Sequence, residues 1–169
     1  MIETHIITGE VKVAKTHTIL RANAIGSCVV IAVYDSQRKV GGMAHVMMPG
    51  DAPEKEPVQS KYSSNAIFEL LEKMIAAGAA RNNIEACLIG GGNVLKRQDD
   101  TICNQNIQSV TEILESENIP IESSSVGGVL RRTALLNTDT GEVHFTEGDS
   151  GIQLLWNFTQ SEGLVGVSV

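Results

Sequence analysis

Two apolar segments joined by a short polar link constrain this chain more than any other feature. Residues 25–34 run through a glycine, a serine and Cys28 into a continuous apolar stretch, and residues 41–49 form a second apolar stretch that carries His45. The polar residues 35–39 between them are typical of a tight connection. The pattern predicts a hairpin of two buried β-strands. Cys28 and His45 both lie at the ends away from the turn, so a hairpin would bring them towards each other.

The rest of the chain predicts further strands and two helices around this hairpin. Apolar residues at helical spacing predict one helix that begins near Ser60 or Ser63 and ends at Gly78, and a second helix over residues 104–117. Further strands are predicted by alternating or continuous apolar residues at 10–15, 18–23, 84–89, 119–124, 129–137, 142–146 and 153–156.

The order of these elements indicates the fold class. Strands come first, then helix, strand and helix, then strands again. This favours an α+β fold of three-layer character, with two main helices on a mixed, largely antiparallel sheet. We expect one domain over residues 1–169, in which residues 147–169 form a C-terminal extension.

Composition excludes several classes of function. The net charge of −7 argues against nucleic-acid binding, which needs clustered cations. Three cysteines, an odd number without a C-x-x-C pair, argue against a disulfide scaffold and predict a reducing compartment. The first residues lack the pattern of a signal peptide, and no apolar run is long enough to span a bilayer, so we expect a cytoplasmic protein without membrane insertion. The histidines are too scattered for a metal site, and no cofactor is expected.

Cys28 and His45 are the strongest candidates for chemistry. An isolated cysteine or histidine in an apolar strand is more often a core residue than a catalytic one. Cys28, however, stands at the start of its strand, directly after Gly26 and Ser27, where a side chain can be both rigid and reachable. A thiol beside an imidazole is the minimum unit of cysteine nucleophilic catalysis. Cys87, inside a strand, is predicted to be core, and Cys103, near the start of a helix, is expected to be partly exposed and has no predicted role.

Two other motifs resemble chemical sites only in part. Ser27 lacks the G-x-S-x-G elbow of the serine hydrolases and is better interpreted as a donor near the site. The run G-G-G-N at 90–93 follows a buried strand but lacks the Gly-Lys-Ser/Thr ending of a phosphate loop. We therefore expect residues 90–93 to be a loop that passes close to another strand or to the active site.

Together these motifs resemble the CheD family of chemoreceptor glutamine deamidases. The resemblance rests on G-S-C-V at 26–29, G-G-M-A-H-V-M-M-P at 41–49, K-Y at 61–62 and G-G-G-N at 90–93, and it extends from about Gly9 to Phe145. Further matching features are Asn106, Gly127-Gly128, Arg131-Arg132 and Thr140-Gly141.

The resemblance implies an enzyme that hydrolyses glutamine side chains of methyl-accepting chemotaxis receptors to glutamate and ammonia, in chemotaxis adaptation. It implies a fold similar to that of deamidating bacterial toxins, and a CheC-type phosphatase of phosphorylated CheY as a partner. It makes Cys28 the nucleophile and His45 the base, without a cofactor. Candidate oxyanion or site-lining residues are Ser27, Gly26, Gly91 and Asn93.

One position departs from the family pattern. The family has a catalytic threonine six residues before the cysteine, which helps to orient the histidine, and this chain has Ala22 there. Reduced activity is one consequence, with the histidine held by another group such as a backbone carbonyl. Two alternatives remain open: a non-catalytic regulator that binds a CheC-type phosphatase or the receptor, and a cysteine amidase or esterase with another substrate.

Overall fold

The computed structural model describes residues 1–160. Within them lie ten strands, two α-helices and two short 3₁₀ helices. The helices are α1 (Ser63–Ala76) and α2 (Ile102–Ser116), with the 3₁₀ turns at Gln59–Lys61 and Arg81–Asn83. The strands are β1 (Ile2–His5), β2 (Val11–Ala14), β3 (Thr18–Ile25), β4 (Val29–Asp35), β5 (Val40–Val46), β6 (Ile84–Gly90), β7 (Ile121–Val126), β8 (Arg132–Asn137), β9 (Glu142–Glu147) and β10 (Gln153–Asn157).

The strands form two five-stranded sheets. The central sheet has the order β2-β5-β4-β6-β7, and the outer sheet has the order β1-β3-β8-β9-β10. Within the central sheet β4 and β5 form the predicted hairpin, antiparallel from Val29↔Val46 to Asp35↔Val40. Each sheet has one parallel pair, β6 with β7 and β1 with β3. The other pairings are antiparallel.

Strand β4 explains why the first apolar segment is continuous. Val29, Ile31 and Val33 contribute to a core shared with α1 and α2, whereas alternate residues such as Val30 and Ala32 contribute to a second core shared with the outer sheet. Side chains alternate between the two faces of a strand, so a strand that is covered on both faces has no polar positions. The molecule therefore has three layers: outer sheet, central sheet and helices.

The α+β class and the three-layer character are confirmed. The predicted strands and both helices are present, and Gly78 has φ +107°, as expected for the residue that ends α1. The division of the strands into two sheets was not predicted, and neither was β1. That strand is short and mostly exposed, and it pairs in parallel with the edge of β3, so it carries no apolar periodicity.

Part of the predicted C-terminal extension packs on the domain. Strand β10 pairs with β9, and Phe158 is fully buried with its ring stacked on Tyr34, the two centroids 5.8 Å apart. The remainder of the extension, residues 161–169, lies outside the described residues. Among the residues that the structure describes, no helix has the length and apolar character needed to cross a bilayer.

Candidate active site

Cys28 immediately precedes β4, the middle strand of the central sheet. The chain reaches it through a bulge at the end of β3, where Ala24 has φ +53°. The thiol is half-buried and packs against the core between the two sheets. Burial raises the pKa of the Cys28 thiol, a rise that hydrogen bonds from the Thr8 side chain and from its own backbone N–H oppose. The thiol form is therefore the resting state at neutral pH.

His45 lies on β5, opposite Val30, and only 3% of it is exposed. Its Nδ1 is 3.1 Å from the carbonyl oxygen of Ile6, a contact in which Nδ1–H donates. That contact leaves Nε2 as the nitrogen with the lone pair. Burial lowers the pKa of His45, against smaller opposing effects of Ile6 and Glu10, so the ring is neutral at neutral pH. A neutral imidazole with an unprotonated Nε2 is suited to accept a proton.

Cys28 and His45 share the face of the central sheet that meets the outer sheet. His45 is opposite Val30, and Cys28 lies two residues before Val30, so the two are diagonal neighbours. Such neighbours are typically about 7 Å apart and within reach of long side chains. No hydrogen bond joins the two side chains among the described contacts. The pKa directions of the two groups favour a neutral thiol and imidazole over a resting thiolate–imidazolium pair.

The glycine loop at 90–93 passes against the strand that carries the cysteine, as its composition predicted. Gly90 has φ +126°, and a Cβ atom there would lie 2.3 Å from the carbonyl oxygen of Cys28. The Gly91 N–H donates to that same carbonyl oxygen at 2.7 Å, and the Gly92 N–H donates to Gly26 at 2.8 Å. Glycines are required here because two backbones approach closely.

These hydrogen bonds limit which groups can stabilise an oxyanion. The backbone N–H groups of Gly91 and Gly92 already bond to carbonyls, and that of Asn93 donates to Gly128 at 2.8 Å. The Asn93 side chain is likewise bonded to the backbone of Arg97. The backbone N–H of Cys28 lies by its own thiol and donates to no carbonyl within residues 1–160. It is thus the best-placed oxyanion donor of those considered.

A cavity of ≈ 300 Å³ lies beside the two residues that precede the cysteine. Its walls include Gly26, Ser27 and Asn93 from the predicted site, together with Arg97 and Asp100 from the segment before α2. Gly91 is not part of its wall, because it faces Ile107 of α2. Neither Cys28 nor His45 is among its lining residues, and the cavity carries one residue of each charge.

Asn106 is one of the residues that carry the family resemblance, but the sequence predicts no role for it. Its side chain is fully buried, and Nδ2 donates to the carbonyl oxygens of Ser27 and Met47, each at 3.0 Å. It therefore ties the residue before Cys28 to the end of the strand that carries His45. A polar residue in the middle of the apolar face of α2 was the signal for this role.

The three remaining predictions concern Ala22, Cys87 and Cys103. Ala22 is buried in the core between the sheets, opposite Ala134, and places no hydroxyl near His45. Cys87 is fully buried, as predicted. The expectation that Cys103 is partly exposed is wrong: it is buried in the first turn of α2, with its Sγ 3.1 Å from the carboxylate of Asp100.

The fold and the site define a class: α+β proteins in which a half-buried cysteine at the start of a central strand shares a sheet face with a buried neutral histidine. The chain belongs to the CheD family. A sequence model of that family, described as CheD chemotactic sensory transduction, matches residues 47–147.

Several relatives are similar over most of their length. A protein of Chlorobium luteolum named "Probable chemoreceptor glutamine deamidase CheD" is 38% identical over 157 residues, which cover 91% of this chain and 78% of the relative. Relatives with the same name are 35% identical in Clostridium novyi, over 90% of this chain and 98% of theirs, and 37% identical in Methanococcus maripaludis, over 83% and 92%.

Proposed function

We propose that this protein is a protein-glutamine deamidase that acts on chemotaxis receptors in the cytoplasm. It converts glutamine side chains to glutamate with release of ammonia, as part of adaptation. One observation carries the proposal: the Nδ1–H of His45 is held by Ile6, which leaves Nε2 as a base on the sheet face that also carries Cys28. The names of the relatives supply the substrate class.

The proposed reaction begins with transfer of the thiol proton of Cys28 to Nε2 of His45. The sulfur attacks the amide carbon of the glutamine, and the carbonyl oxygen takes up the negative charge beside the backbone N–H of Cys28. The imidazolium then gives its proton to the leaving nitrogen, the C–N bond breaks, and ammonia departs from a thioester. His45 next deprotonates water, which attacks the thioester and releases glutamate and the thiol.

The neutral resting pair fits this sequence of steps. A thiol whose pKa is raised by burial needs a base at the moment of attack, and a buried imidazole whose pKa is lowered is unprotonated and ready to act. The apo geometry has no Cys28–His45 hydrogen bond, and such contacts often shorten only when substrate binds. We therefore assign the activation of Cys28 to the complex with substrate.

The test is mass spectrometry of receptor cytoplasmic fragments incubated with the wild-type protein, Cys28→Ala or Cys87→Ala. Glutamine-to-glutamate conversion by the wild type and by Cys87→Ala, but not by Cys28→Ala, supports the proposal. Cys87 is the matched control because it lies in the same sheet and is fully buried. Equal conversion by all three proteins would overturn the role of Cys28.

A second candidate is a non-catalytic regulator, which the buried Ala22 favours because it offers no hydroxyl to the site. Its partner would be a CheC-type phosphatase or the receptor. In that case none of the three proteins converts glutamine, while the wild type and Cys28→Ala bind the phosphatase or the receptor fragment equally well. Small amides and methyl esters in the same assay test for an amidase or esterase with another substrate.

A further inference from the structure

The peptide unit that joins Ser27 to Cys28 carries two groups that matter to the site. Its N–H belongs to Cys28 and donates to no carbonyl within residues 1–160, which leaves it available to an oxyanion. Its carbonyl belongs to Ser27 and accepts a hydrogen bond from Nδ2 of Asn106 at 3.0 Å. The unit is trans, and in a planar trans peptide the C=O and the N–H point in opposite directions. A group that holds the Ser27 carbonyl therefore also fixes the direction of the Cys28 N–H.

The glycine loop holds the carbonyls on either side of this one. The carbonyl oxygens of Gly26 and Cys28 accept backbone N–H groups of that loop at 2.8 and 2.7 Å. The carbonyl of Ser27 receives nothing from the loop, and within residues 1–160 Asn106 is its one hydrogen-bond donor. Without Asn106, the peptide unit that carries the oxyanion donor would be the only one of these three whose carbonyl is not held.

The amide of Asn106 is itself held in one orientation. Its side chain is fully buried on α2, and Nδ2 also donates to the carbonyl oxygen of Met47 at 3.0 Å. Both contacts are to carbonyl oxygens, which only accept, so the amide nitrogen and not its oxygen must face them. The Met47 N–H donates to the carbonyl of Lys61 at 2.8 Å, which fixes this second anchor. The amide thus joins the segment before Cys28 to the end of β5.

The position of Asn106 is an exception on its side of the helix. The other buried residues of α2 are Cys103, Val110 and Leu114, none of which is a polar amide. Oδ1 of Asn106 is buried and has no hydrogen-bond partner among residues 1–160. A buried polar atom without a partner opposes the stability that the two donated hydrogen bonds contribute. Such an atom in a folded protein calls for an explanation beyond packing.

We propose that Asn106 is a positioning residue of the deamidase site, which holds the Ser27 carbonyl so that the Cys28 N–H is aimed at the oxyanion. The proposal rests on the proposed function for its role in turnover. A hydrogen bond to the carbonyl also polarises the peptide unit and makes its N–H a stronger donor. When the sulfur attacks the amide carbon, the negative charge on oxygen then develops beside a donor that is already in place.

Two small reagents separate this role from a purely structural one, without a receptor. With p-nitrophenyl acetate, the sulfur of Cys28 bonds to the ester carbon and the carbonyl oxygen becomes an oxyanion. The thiol proton passes to His45, and collapse of the intermediate expels nitrophenolate and leaves a thioester. Iodoacetamide alkylates the same sulfur by displacement of iodide, a step that forms no oxyanion. The ratio of the two rates therefore reports on the oxyanion donor.

The experiment compares the wild type with Asn106→Leu and Asn106→Ala, of which the first keeps a similar volume and the second leaves a cavity. Thr138→Val is the matched control, because the hydroxyl of Thr138 is also fully buried, donates to the Thr18 carbonyl at 3.0 Å and accepts from the Thr18 N–H at 3.2 Å. Thr138 lies at the far end of β4 from Cys28, where its carbonyl accepts from the hydroxyl of Tyr34 at 2.8 Å. Circular dichroism checks that each variant is folded at the assay temperature.

Acylation is followed as the first-turnover release of nitrophenolate, with the release by Cys28→Ala subtracted, and alkylation by peptide mass spectrometry. We expect both Asn106 variants to lower the acylation rate about 10- to 100-fold and to change the alkylation rate only about two- to threefold. Thr138→Val should keep the wild-type ratio. With receptor fragments, Asn106→Leu should lower kcat with little change in KM.

Equal losses of acylation and alkylation in the Asn106 variants would overturn the proposal, and so would the same change of ratio in Thr138→Val. A wild-type Cys28 that is alkylated but not acylated would overturn it as well. If the wild type converts no receptor glutamine while the ratio changes as expected, the proposed function fails and the role of Asn106 at the oxyanion donor stands.

Discussion

Gly90→Ala is the substitution that most sharply tests how the glycine loop supports the cysteine. The added Cβ atom would lie 2.3 Å from the carbonyl oxygen of Cys28 and 2.6 Å from Cγ2 of Ile25. Both neighbours are rigid, one being backbone and the other a fully buried side chain. The backbone also has φ +126°, a region that residues other than glycine rarely adopt.

The destabilisation has two parts, the backbone conformation and the steric overlap. A non-glycine residue in such a conformation costs about 1–3 kcal/mol, and overpacking a well-packed site costs about 1–3 kcal/mol more. We therefore expect Gly90→Ala to lower the free energy of unfolding by about 4 kcal/mol, the middle of the combined range. In a domain of this size that loss corresponds to a fall in Tm of about 8–16 °C.

Gly127→Ala is the matched control. Gly127 has φ +81°, its N–H donates to the carbonyl of Gly90, and a Cβ atom there would meet nothing within 4 Å. Only the conformational cost applies, so we expect a loss of about 1 kcal/mol and a fall in Tm of about 2–4 °C. Differential scanning calorimetry measures both variants. Equal losses for the two would refute the argument that the loop is held by close approach to Cys28.

Three further predictions follow from the site and the core. Burial lowers the pKa of His45 in the folded protein, so the imidazole takes up a proton more readily in the unfolded chain. The free energy of unfolding should therefore fall as the pH drops below about 6.5. Thermal melts over a pH series should show a smaller decline for His45→Asn. Asn106→Leu removes two buried hydrogen bonds and should cost about 2 kcal/mol in urea unfolding, and it should change the labelling rate of Cys28. Phe158→Ala removes a fully buried ring stacked on Tyr34 and should cost about 3–5 kcal/mol, also in urea unfolding; an unchanged midpoint would contradict the docking of β10 and Phe158 on the domain.

Much of the central sheet was predictable from the sequence because burial on two faces leaves a distinct pattern. Strand β4 has no charged residue before Asp35, so its position and its hairpin with β5 can be predicted from the pattern of apolar residues along the sequence. Helix α1 was equally well marked, by its apolar face and by Gly78. The close approach of the glycine loop was also foreseen, since glycines after a buried strand indicate a lack of space.

The partition into two sheets was not predictable in the same way. Alternation shows that a strand has a buried face, but it does not show which sheet the strand joins. Nothing in the sequence of β3 states that it pairs with β1 and β8 and not with its chain neighbour β4. The pairing of β3 with β8 joins segments more than 100 residues apart, which local patterns do not record.

The residues of the candidate site also differ in how far local sequence patterns predict them. Cys28 and His45 were found because both lie in one hairpin, where sequence separation and strand geometry fix their relation. No role was predicted for Asn106, because its hydrogen bonds to Ser27 and Met47 join segments that are 79 and 59 residues apart in sequence. The commitment of the Gly91 N–H to the carbonyl of Cys28 likewise required the three-dimensional structure.

The most direct test of the central claim is to trap the covalent intermediate. The wild-type protein, in excess over a receptor cytoplasmic fragment, is quenched with acid during the first turnover, digested, and analysed by mass spectrometry. We predict a receptor peptide joined through a former glutamine to the peptide that contains Cys28, cleaved by hydroxylamine and absent with Cys28→Ala. Conversion of glutamine to glutamate at the wild-type rate by Cys28→Ala, with no adduct on Cys28 in the wild type, would contradict the account.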